Sequence, residues 1–202
     1  MENADLSRRS LLQAIAALVA SAATPIGWAE AAQGLDEAHH AAPPDDDAKI
    51  FLSAAEAEDV EAVAAQIVPT DDTPGAREAG AVYFIDRALA TFFAQLAGDY
   101  RAQLADFKAG YRRRHPAAAS FGSLSSDQQI AHLKTIEETP FFNTTRLLTL
   151  LGMFSLPAYG GNRDGIGWTL IGFEDRHIFQ PPFGYYDRDY PGFVIDGSGT
   201  TK

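Results

Sequence analysis

A cluster of glycines is the feature of this sequence most typical of a binding site. The stretch PAYGGNRDGIGW, residues 157–168, holds four glycines, two aromatic residues and a charged pair in twelve positions. A dinucleotide-binding loop would need a third glycine where Leu170 stands, and a phosphate-binding loop would need a lysine where Trp168 stands. The glycines therefore indicate only a tight turn or a backbone that lies close against another surface.

Calcium, thiolate and haem chemistry are excluded in the same way. A calcium loop centred on Gly165 would begin at Gly160 and end at Ile171, and neither residue carries the carboxylate that the loop requires. The chain has no cysteine, which excludes disulfides, iron–sulfur clusters and the C-x-x-C-H attachment of a c-type haem. We expect no cofactor site and no metal site in this chain.

The acidic residues and histidines do not form a convincing catalytic group either. Asp71 and Asp72 are adjacent in a turn, so their side chains diverge, and capping of the following helix explains them better than a paired acid and base. His132 is predicted on the polar side of its helix. His177 has charged neighbours but lacks the second, oriented group that a catalytic histidine needs. We expect no catalytic residue in this chain.

Composition limits the possible partners. The chain has 202 residues, of which 46% are hydrophobic, which is enough for one packed domain. The net charge of −11 argues against nucleic acid and anionic membranes as partners, because both require clustered lysine and arginine. The one basic cluster, Arg112 to Arg114, is predicted to complement the negative end of a helix. No stretch outside the N-terminus is apolar enough for a membrane span.

The N-terminus has the pattern of a twin-arginine export signal. The residues SRRSLL, from Ser7, are followed by a mildly apolar run and an Ala-Glu-Ala sequence at residues 29–31. This pattern predicts a signal over residues 1–31. Residues 32–49 are polar, acidic and interrupted by prolines, which favours a flexible linker to a helical domain at 50–202. This route exports folded proteins that hold a cofactor, so a signal on a chain without a cofactor motif suggests that it carries a partner subunit.

Hydrophobic spacing predicts five helices. The first runs from Ser53 to before Pro69, the second from near Ala76 to near Phe93, and the third from near Asp99 to before Pro116. The fourth begins at Ser125, and the fifth runs from Thr139 to near Phe154. Their predicted buried faces contain Val60, Val63, Ala64 and Ile67; Ala79, Val82, Ile85, Ala88, Leu89 and Phe92; Tyr100, Leu104, Phe107 and Tyr111; and Ile130, Leu133 and Ile136. The predicted fold is mainly α, a small bundle of about five helices with a Gly-rich loop and an irregular aromatic C-terminal tail.

Two long sequence blocks carry a family resemblance. IVPTDDTPGAREAG, residues 67–80, and PAYGGNRDGIGW lie within a region, 51–173, that resembles the gluconate 2-dehydrogenase subunit 3 family. That family is the small subunit of FAD-dependent sugar and polyol dehydrogenases. The resemblance implies a large FAD-binding partner of the glucose-methanol-choline type that oxidises the sugar, and a cytochrome c subunit with haem c as a third component.

The resemblance also implies a role and a location. The small subunit would not be catalytic by itself; it would bring the export signal and help the large subunit to mature, in a chaperone-like way, in the periplasm. A cytochrome subunit would be the means of any membrane association. The tail segment RHIFQPPFGYYD resembles the version that accompanies glucoside 3-dehydrogenases, but gluconate, glucose, fructose and sorbitol enzymes use similar small subunits.

The glycine stretch and the aromatic tail are predicted to form the partner interface, because glycines permit close approach and aromatic residues anchor interfaces. The predicted interface residues are Tyr159, Gly160, Gly161, Asn162, Arg163, Asp164, Trp168, His177, Phe183, Tyr185 and Tyr186. Two alternatives remain open. In the first, Trp168 is an ordinary core residue and not part of an interface. In the second, the chain is an independent periplasmic carbohydrate-binding or hydrolytic protein, in which aromatic residues stack on the sugar and Asp164 or Asp175 is the acid.

Overall fold

The structure, a computed structural model, describes residues 48–175 and confirms the predicted α-helical class. Among these residues there are six α-helices and no strand. The helices are α1 (Ala54–Ile67), α2 (Ala81–Ala90), α3 (Ala97–Arg114), α4 (Ser126–Leu133), α5 (Pro140–Phe154) and α6 (Ile166–Leu170). Of the described residues, 48–171 belong to one compact unit, and a second unit begins at Gly172. The predicted signal, the linker up to residue 47 and the tail from residue 176 lie outside the described residues.

The predicted helix starts are confirmed where a capping residue marks them. Ser53 and Ser125 each form a reciprocal capping box, with Glu56 and Gln128 respectively. The Thr139 side chain accepts a hydrogen bond from the Phe142 N–H, and proline follows it as the first residue of α5. Each cap satisfies backbone N–H groups that have no partner inside the helix, which is why these starts can be read from sequence.

Among the described residues, the most extensive helix packing is between α2 and α5. A Cβ atom at Gly152 would lie 3.1 Å from the Ala81 Cα atom and 3.1 Å from the Phe84 Cβ atom, so glycine lets the two helices approach. The predicted stripe on α3 is confirmed, since Tyr100, Leu104, Phe107 and Tyr111 are all buried. Arg112 to Arg114 occupy the last turn of α3, as predicted for a basic cluster that complements the helix dipole.

The second helix begins later than the sequence predicts. Residues 76–80 form a separate turn, and α2 begins only after Gly80, whose φ of +67° is left-handed. A Cβ atom at this glycine would lie 2.6 Å from the Nε atom of Arg163. The helical spacing of residues 76–80 was therefore misleading, because a tertiary contact requires a bend there.

The buried face of α4 also differs from the prediction. Ile130 is 38% exposed, whereas His132 is only 3% exposed. Gln129 explains the rotation, because its side-chain amide donates to the Leu124 carbonyl at 2.9 Å and its oxygen accepts from Gln66 at 2.8 Å. These bonds turn the face with Gln129, His132 and Leu133 inward, so the prediction that His132 lies on the polar, outer side of its helix is wrong.

Asp71 does not cap a helix. Its Oδ1 atom accepts hydrogen bonds from the backbone N–H and the hydroxyl of Thr73, both at 2.9 Å. The next residues continue in a turn and not in a helix. Asp71 therefore stabilises a local turn, which is the common role of aspartate in loops.

A second acid, Asp59, is buried on α1 and joins three parts of the fold. One carboxylate oxygen accepts from the Phe121 N–H at 2.7 Å, and the Tyr111 hydroxyl donates to the carboxylate at 3.2 Å. Lys108 lies 3.9 Å away. Burial raises the pKa of Asp59 above its ordinary value of 3.8, although the Phe121 hydrogen bond and Lys108 act in the opposite direction.

We expect Asp59 to make stability depend on pH. Because the pKa of Asp59 is higher in the folded state, its contribution to the free energy of unfolding is complete below pH 3.8, the unfolded value. That contribution is lost as pH rises through the folded-state pKa, and it amounts to about 1.4 kcal/mol for each unit by which the two pKa values differ. Asp59→Asn cannot ionise, so its free energy of unfolding relative to wild type should rise with pH over this window. Urea unfolding from pH 4 to 7 measures the difference, with the exposed Asp99→Asn as control. Parallel curves for wild type and Asp59→Asn would contradict the assignment.

Candidate partner interface

The glycine stretch folds into two short turns and one short helix. Pro157–Tyr159 and Arg163–Gly165 form 3-10 turns, and α6 follows directly. Four residues have positive φ angles: Gly160 at 103°, Asn162 at 45°, Asp164 at 55° and Gly165 at 67°. Left-handed backbone favours glycine and, after it, asparagine and aspartate, which are the residue types found here.

Two of the glycines bring the loop against the end of α5. A Cβ atom on Gly161 would overlap the carbonyl oxygen of Gly152, and a Cβ atom on Gly167 would overlap that of Met153. The close approach that the sequence indicated is therefore made, at these two positions, to the chain's own helix.

Asn162 is the centre of this contact. It is completely buried, and its backbone N–H donates to the Gly152 carbonyl at 2.7 Å. Its side-chain amide donates to the Ser155 carbonyl at 2.8 Å, and its side-chain oxygen accepts from the Gly167 N–H at 2.8 Å. One side chain thus connects the C-terminus of α5 to the first turn of α6, and it satisfies backbone groups that helix ends leave open.

Trp168 adds a second connection between the same helices. The tryptophan is half-buried, and its indole N–H donates to the Phe154 carbonyl at 2.9 Å. The indole therefore satisfies a carbonyl at the end of α5, which gives Trp168 a structural role within the chain.

The two charged residues of the loop, Arg163 and Asp164, have different surroundings. The Arg163 guanidinium lies 4.0 Å from the centre of the Tyr83 ring, and the Lys49 ammonium lies 4.2 Å from it. The Arg163 N–H also donates to the Ala79 carbonyl at 3.1 Å. Asp164, by contrast, is exposed. Arg163 is thus part of the fold, although its side chain remains partly accessible.

The predicted interface residues fall into three groups. Tyr159, Gly161 and Asn162 are buried within the chain, and the Tyr159 ring packs near Phe92 at a centroid distance of 6.2 Å. Gly160, Arg163, Asp164 and Trp168 are at least partly accessible. His177, Phe183, Tyr185 and Tyr186 lie outside the described residues. The interface itself stays a prediction.

Sequence reasoning missed three apolar side chains that flank the loop. Leu156 precedes it, and Leu170 and Ile171 follow it, with exposed fractions of 38%, 39% and 59%. The only sequence signal was the presence of large aliphatic residues at both ends of a glycine-rich loop, and it does not show that they are exposed. Leu170 and Ile171 are adjacent in the chain, and contiguous exposed apolar side chains are typical of surfaces that bind other proteins.

Two features are absent from residues 48–175, a cluster of metal-ligating side chains and a membrane-spanning helix. No group of three or more histidine, cysteine or acidic side chains there is placed to hold a metal ion. Within the same residues, no helix has both the length and the apolar character to cross a membrane.

Residues 54–175 match the profile of the family described as Gluconate 2-dehydrogenase subunit 3. No curated protein and no solved structure matched the chain. The matched region begins with α1, contains all six helices and includes both sequence blocks that carry the resemblance. Subunits of this family belong to multi-subunit dehydrogenase complexes, so the match implies partner subunits. With well over half of its length matched, the chain belongs to the gluconate 2-dehydrogenase subunit 3 family.

Proposed function

We propose that the chain is the non-catalytic small subunit of a periplasmic FAD-dependent dehydrogenase of the glucose-methanol-choline type. It is needed for the export, maturation and stability of the flavoprotein subunit. The observation that carries the proposal is the family match over residues 54–175, joined to a twin-arginine pattern at the N-terminus. In this proposal FAD resides in the large subunit and haem c in a cytochrome subunit, through which the complex would associate with the membrane.

The accessible face around the glycine loop is the proposed contact with the flavoprotein. The loop's inner surface is occupied by α5, which leaves Leu156, Asp164, Leu170 and Ile171 directed to the outside. Aliphatic anchors beside a charged rim are typical of protein interfaces. The burial of Tyr159 disfavours the alternative of a sugar-stacking platform, because a stacking ring needs an accessible face.

Export tests the carrier role. Replacing Arg8 and Arg9 together by lysine should leave both this chain and the flavoprotein in the cytoplasm, because the pair would share one signal. Fractionation of cells followed by dehydrogenase assay of the periplasm measures the result, and Arg112→Lys, a surface replacement on α3, is the control. Normal periplasmic flavoprotein in the double variant would refute the carrier role.

Assembly tests the contact surface. Leu170→Lys should weaken binding of the flavoprotein at least tenfold, which corresponds to about 1.4 kcal/mol, because a charge would be buried at an apolar contact. Ile130→Lys is a matched control, since Ile130 is equally exposed but lies on α4. Co-purification with quantified flavin content measures the difference. Equal recovery of flavoprotein by the two variants would show that α6 does not contact it.

A further inference from the structure

A groove on the bundle surface plays no part in the proposed function. It has a volume of about 500 Å³ and lies between one face of α3 and the segment that joins α4 to α5. Volumes of this size are typical of small-molecule sites. The loop around Asn162 does not line it.

The base of the groove is apolar and aromatic. The rings of Phe107 and Phe141 stack with a centroid distance of 4.7 Å and an interplanar angle of 24°. Ile136, which is partly buried, also lines the groove. A planar or aliphatic ligand body would find dispersion contacts along this surface.

One end of the groove is positively charged. Arg113 and Arg114, from the last turn of α3, both line it. The Arg114 guanidinium is held in place, because it donates to the Thr135 hydroxyl at 3.2 Å and lies 3.4 Å from the Nδ1 atom of His132. Asp106 also lines the groove, four positions from Gly110, or about 6 Å along the helix axis, and seven positions from Arg113, or about 10 Å.

His132 supplies a buried donor at the same end. Since a guanidinium can only donate, Nδ1 must accept from Arg114, which places the ring hydrogen on Nε2. Burial lowers the pKa of His132, with Arg114 acting in the same direction, so the ring is neutral at neutral pH. Among the described residues, the buried Nε2 atom has no hydrogen-bond partner.

The missing side chain of Gly110 opens a place beside this donor. A Cβ atom at Gly110 would lie 3.8 Å from His132 Nε2 and 4.0 Å from Arg113 Nη2. An acceptor atom near that position would therefore be close to both donors. Buried polar groups are rarely left without a partner, so the unpaired Nε2–H points to an acceptor from outside the chain.

We propose that this groove binds a small monocarboxylate with an apolar, preferably planar body. The carboxylate lies beside Gly110, between Arg113 and His132 Nε2, with Arg114 adding positive charge. The body lies along Phe107 and Phe141. Asp106 disfavours a second negative charge at the far end of the ligand, which is why a monocarboxylate fits better than a dicarboxylate.

A titration of the full chain with 3-phenylpropionate tests the site. The matched neutral probe is 3-phenylpropanamide, which keeps the body and removes the charge. We expect the acid to bind at least tenfold more tightly than the amide, with chemical-shift changes at the Gly110 amide and the His132 ring. Gly110→Ala should weaken binding of the acid at least tenfold by filling the place beside Nε2.

Two variants separate the site from general effects. Alanine is a better helix former than glycine, and its Cβ atom would make only ordinary contacts here, so Gly110→Ala should fold at least as stably as wild type. Arg113→Gln should weaken binding of the acid tenfold or more, whereas Arg112→Gln, an equal loss of charge outside the groove, should leave it unchanged. The proposal is overturned if the acid does not bind, if acid and amide bind equally, or if the Arg112 variant loses as much affinity as the Arg113 variant.

Discussion

Replacing Asn162 by alanine is expected to lower the free energy of unfolding by about 3 kcal/mol, because a buried side chain with two hydrogen bonds is removed and a left-handed backbone position is strained. The Ser155 carbonyl and the Gly167 N–H would lose their partner. Asparagine adopts the φ of +45° at a lower cost than alanine does. Chemical denaturation of the isolated chain measures the loss.

Two further variants divide this effect into its parts. Asn162→Gly removes the side chain but tolerates the backbone angle, so it should be less damaging than alanine by about 1 kcal/mol. Asn162→Asp keeps an acceptor for the Gly167 N–H but cannot donate to the Ser155 carbonyl, and it places a charge in a buried site. Equal stability of the alanine variant and wild type would show that α5 and α6 are not joined through this residue.

Loss of the Asn162 contacts should also reduce assembly with the flavoprotein. The exposed residues proposed as anchors lie on either side of the loop, at Leu156 and Leu170, and their positions depend on the connection between α5 and α6. A variant in which the isolated bundle remains folded but flavoprotein recovery falls would separate the interface from global stability.

The elements that could be predicted from sequence are those with local causes. Three helix starts were predicted correctly, at Ser53, Ser125 and Thr139. Each depends only on residues within one turn of the helix start, so the same short pattern predicts a helix start whatever the rest of the fold. The stripe on α3 was equally readable, because large side chains recur there at helical spacing. The α-helical class followed from these features.

The errors arise where distant residues decide the local structure. Gly80 ends the preceding turn because the Arg163 side chain lies against it, and that contact joins residues far apart in the sequence. The orientation of α4 depends on bonds from Gln129 to Gln66 and Leu124, and it exposes Ile130 while burying a histidine. Periodicity alone treats an aliphatic side chain as buried and a histidine as exposed, so it selected the wrong face.

The close approach predicted from the glycines is confirmed, but the surface that they approach was not predicted, and the partner interface stays a prediction. Glycines at 161 and 167 do permit close approach, yet the surface they approach is the end of α5. The sequence around a glycine does not indicate which surface the glycine will contact. The exposed aliphatic residues around the loop became visible only when their burial was known.

Asp86→Ala is expected to destabilise the fold by about 3 to 4 kcal/mol, because one buried carboxylate accepts three backbone hydrogen bonds that would all be lost. The donors are the N–H groups of Ile50, Phe51 and Leu52, at 2.7, 3.0 and 2.6 Å. Asp86 is 2% exposed and lies on α2. It therefore fixes the segment that enters α1 to the centre of the bundle.

A second contact limits how far that segment can move. Arg101 donates to the Phe51 carbonyl at 2.7 Å, and its guanidinium lies 4.3 Å from the centre of the Phe51 ring. In the Asp86 variant these contacts with α3 would hold one residue of the segment while its amide groups open. Hydrogen exchange should therefore show loss of protection at the amides of residues 50–52 before the rest of the bundle opens.

The control for Asp86 is an acid that accepts no such bonds from the entering segment. Asp99→Ala removes an exposed carboxylate from the first turn of α3, and its expected cost is about 0.3 to 1 kcal/mol from the helix dipole. The loss of stability in Asp86→Asn should lie between those of Asp86→Ala and Asp99→Ala. Its side-chain oxygen can accept from one or two of the N–H groups, while its amide hydrogens face the third. Equal losses in Asp86→Ala and Asp99→Ala, with unchanged exchange at residues 50–52, would show that the three N–H groups find water as readily as the carboxylate. A further gain from asparagine to wild type at position 86 would instead locate the stabilisation in the hydrogen bonds themselves, since that step restores acceptors without changing the size of the side chain.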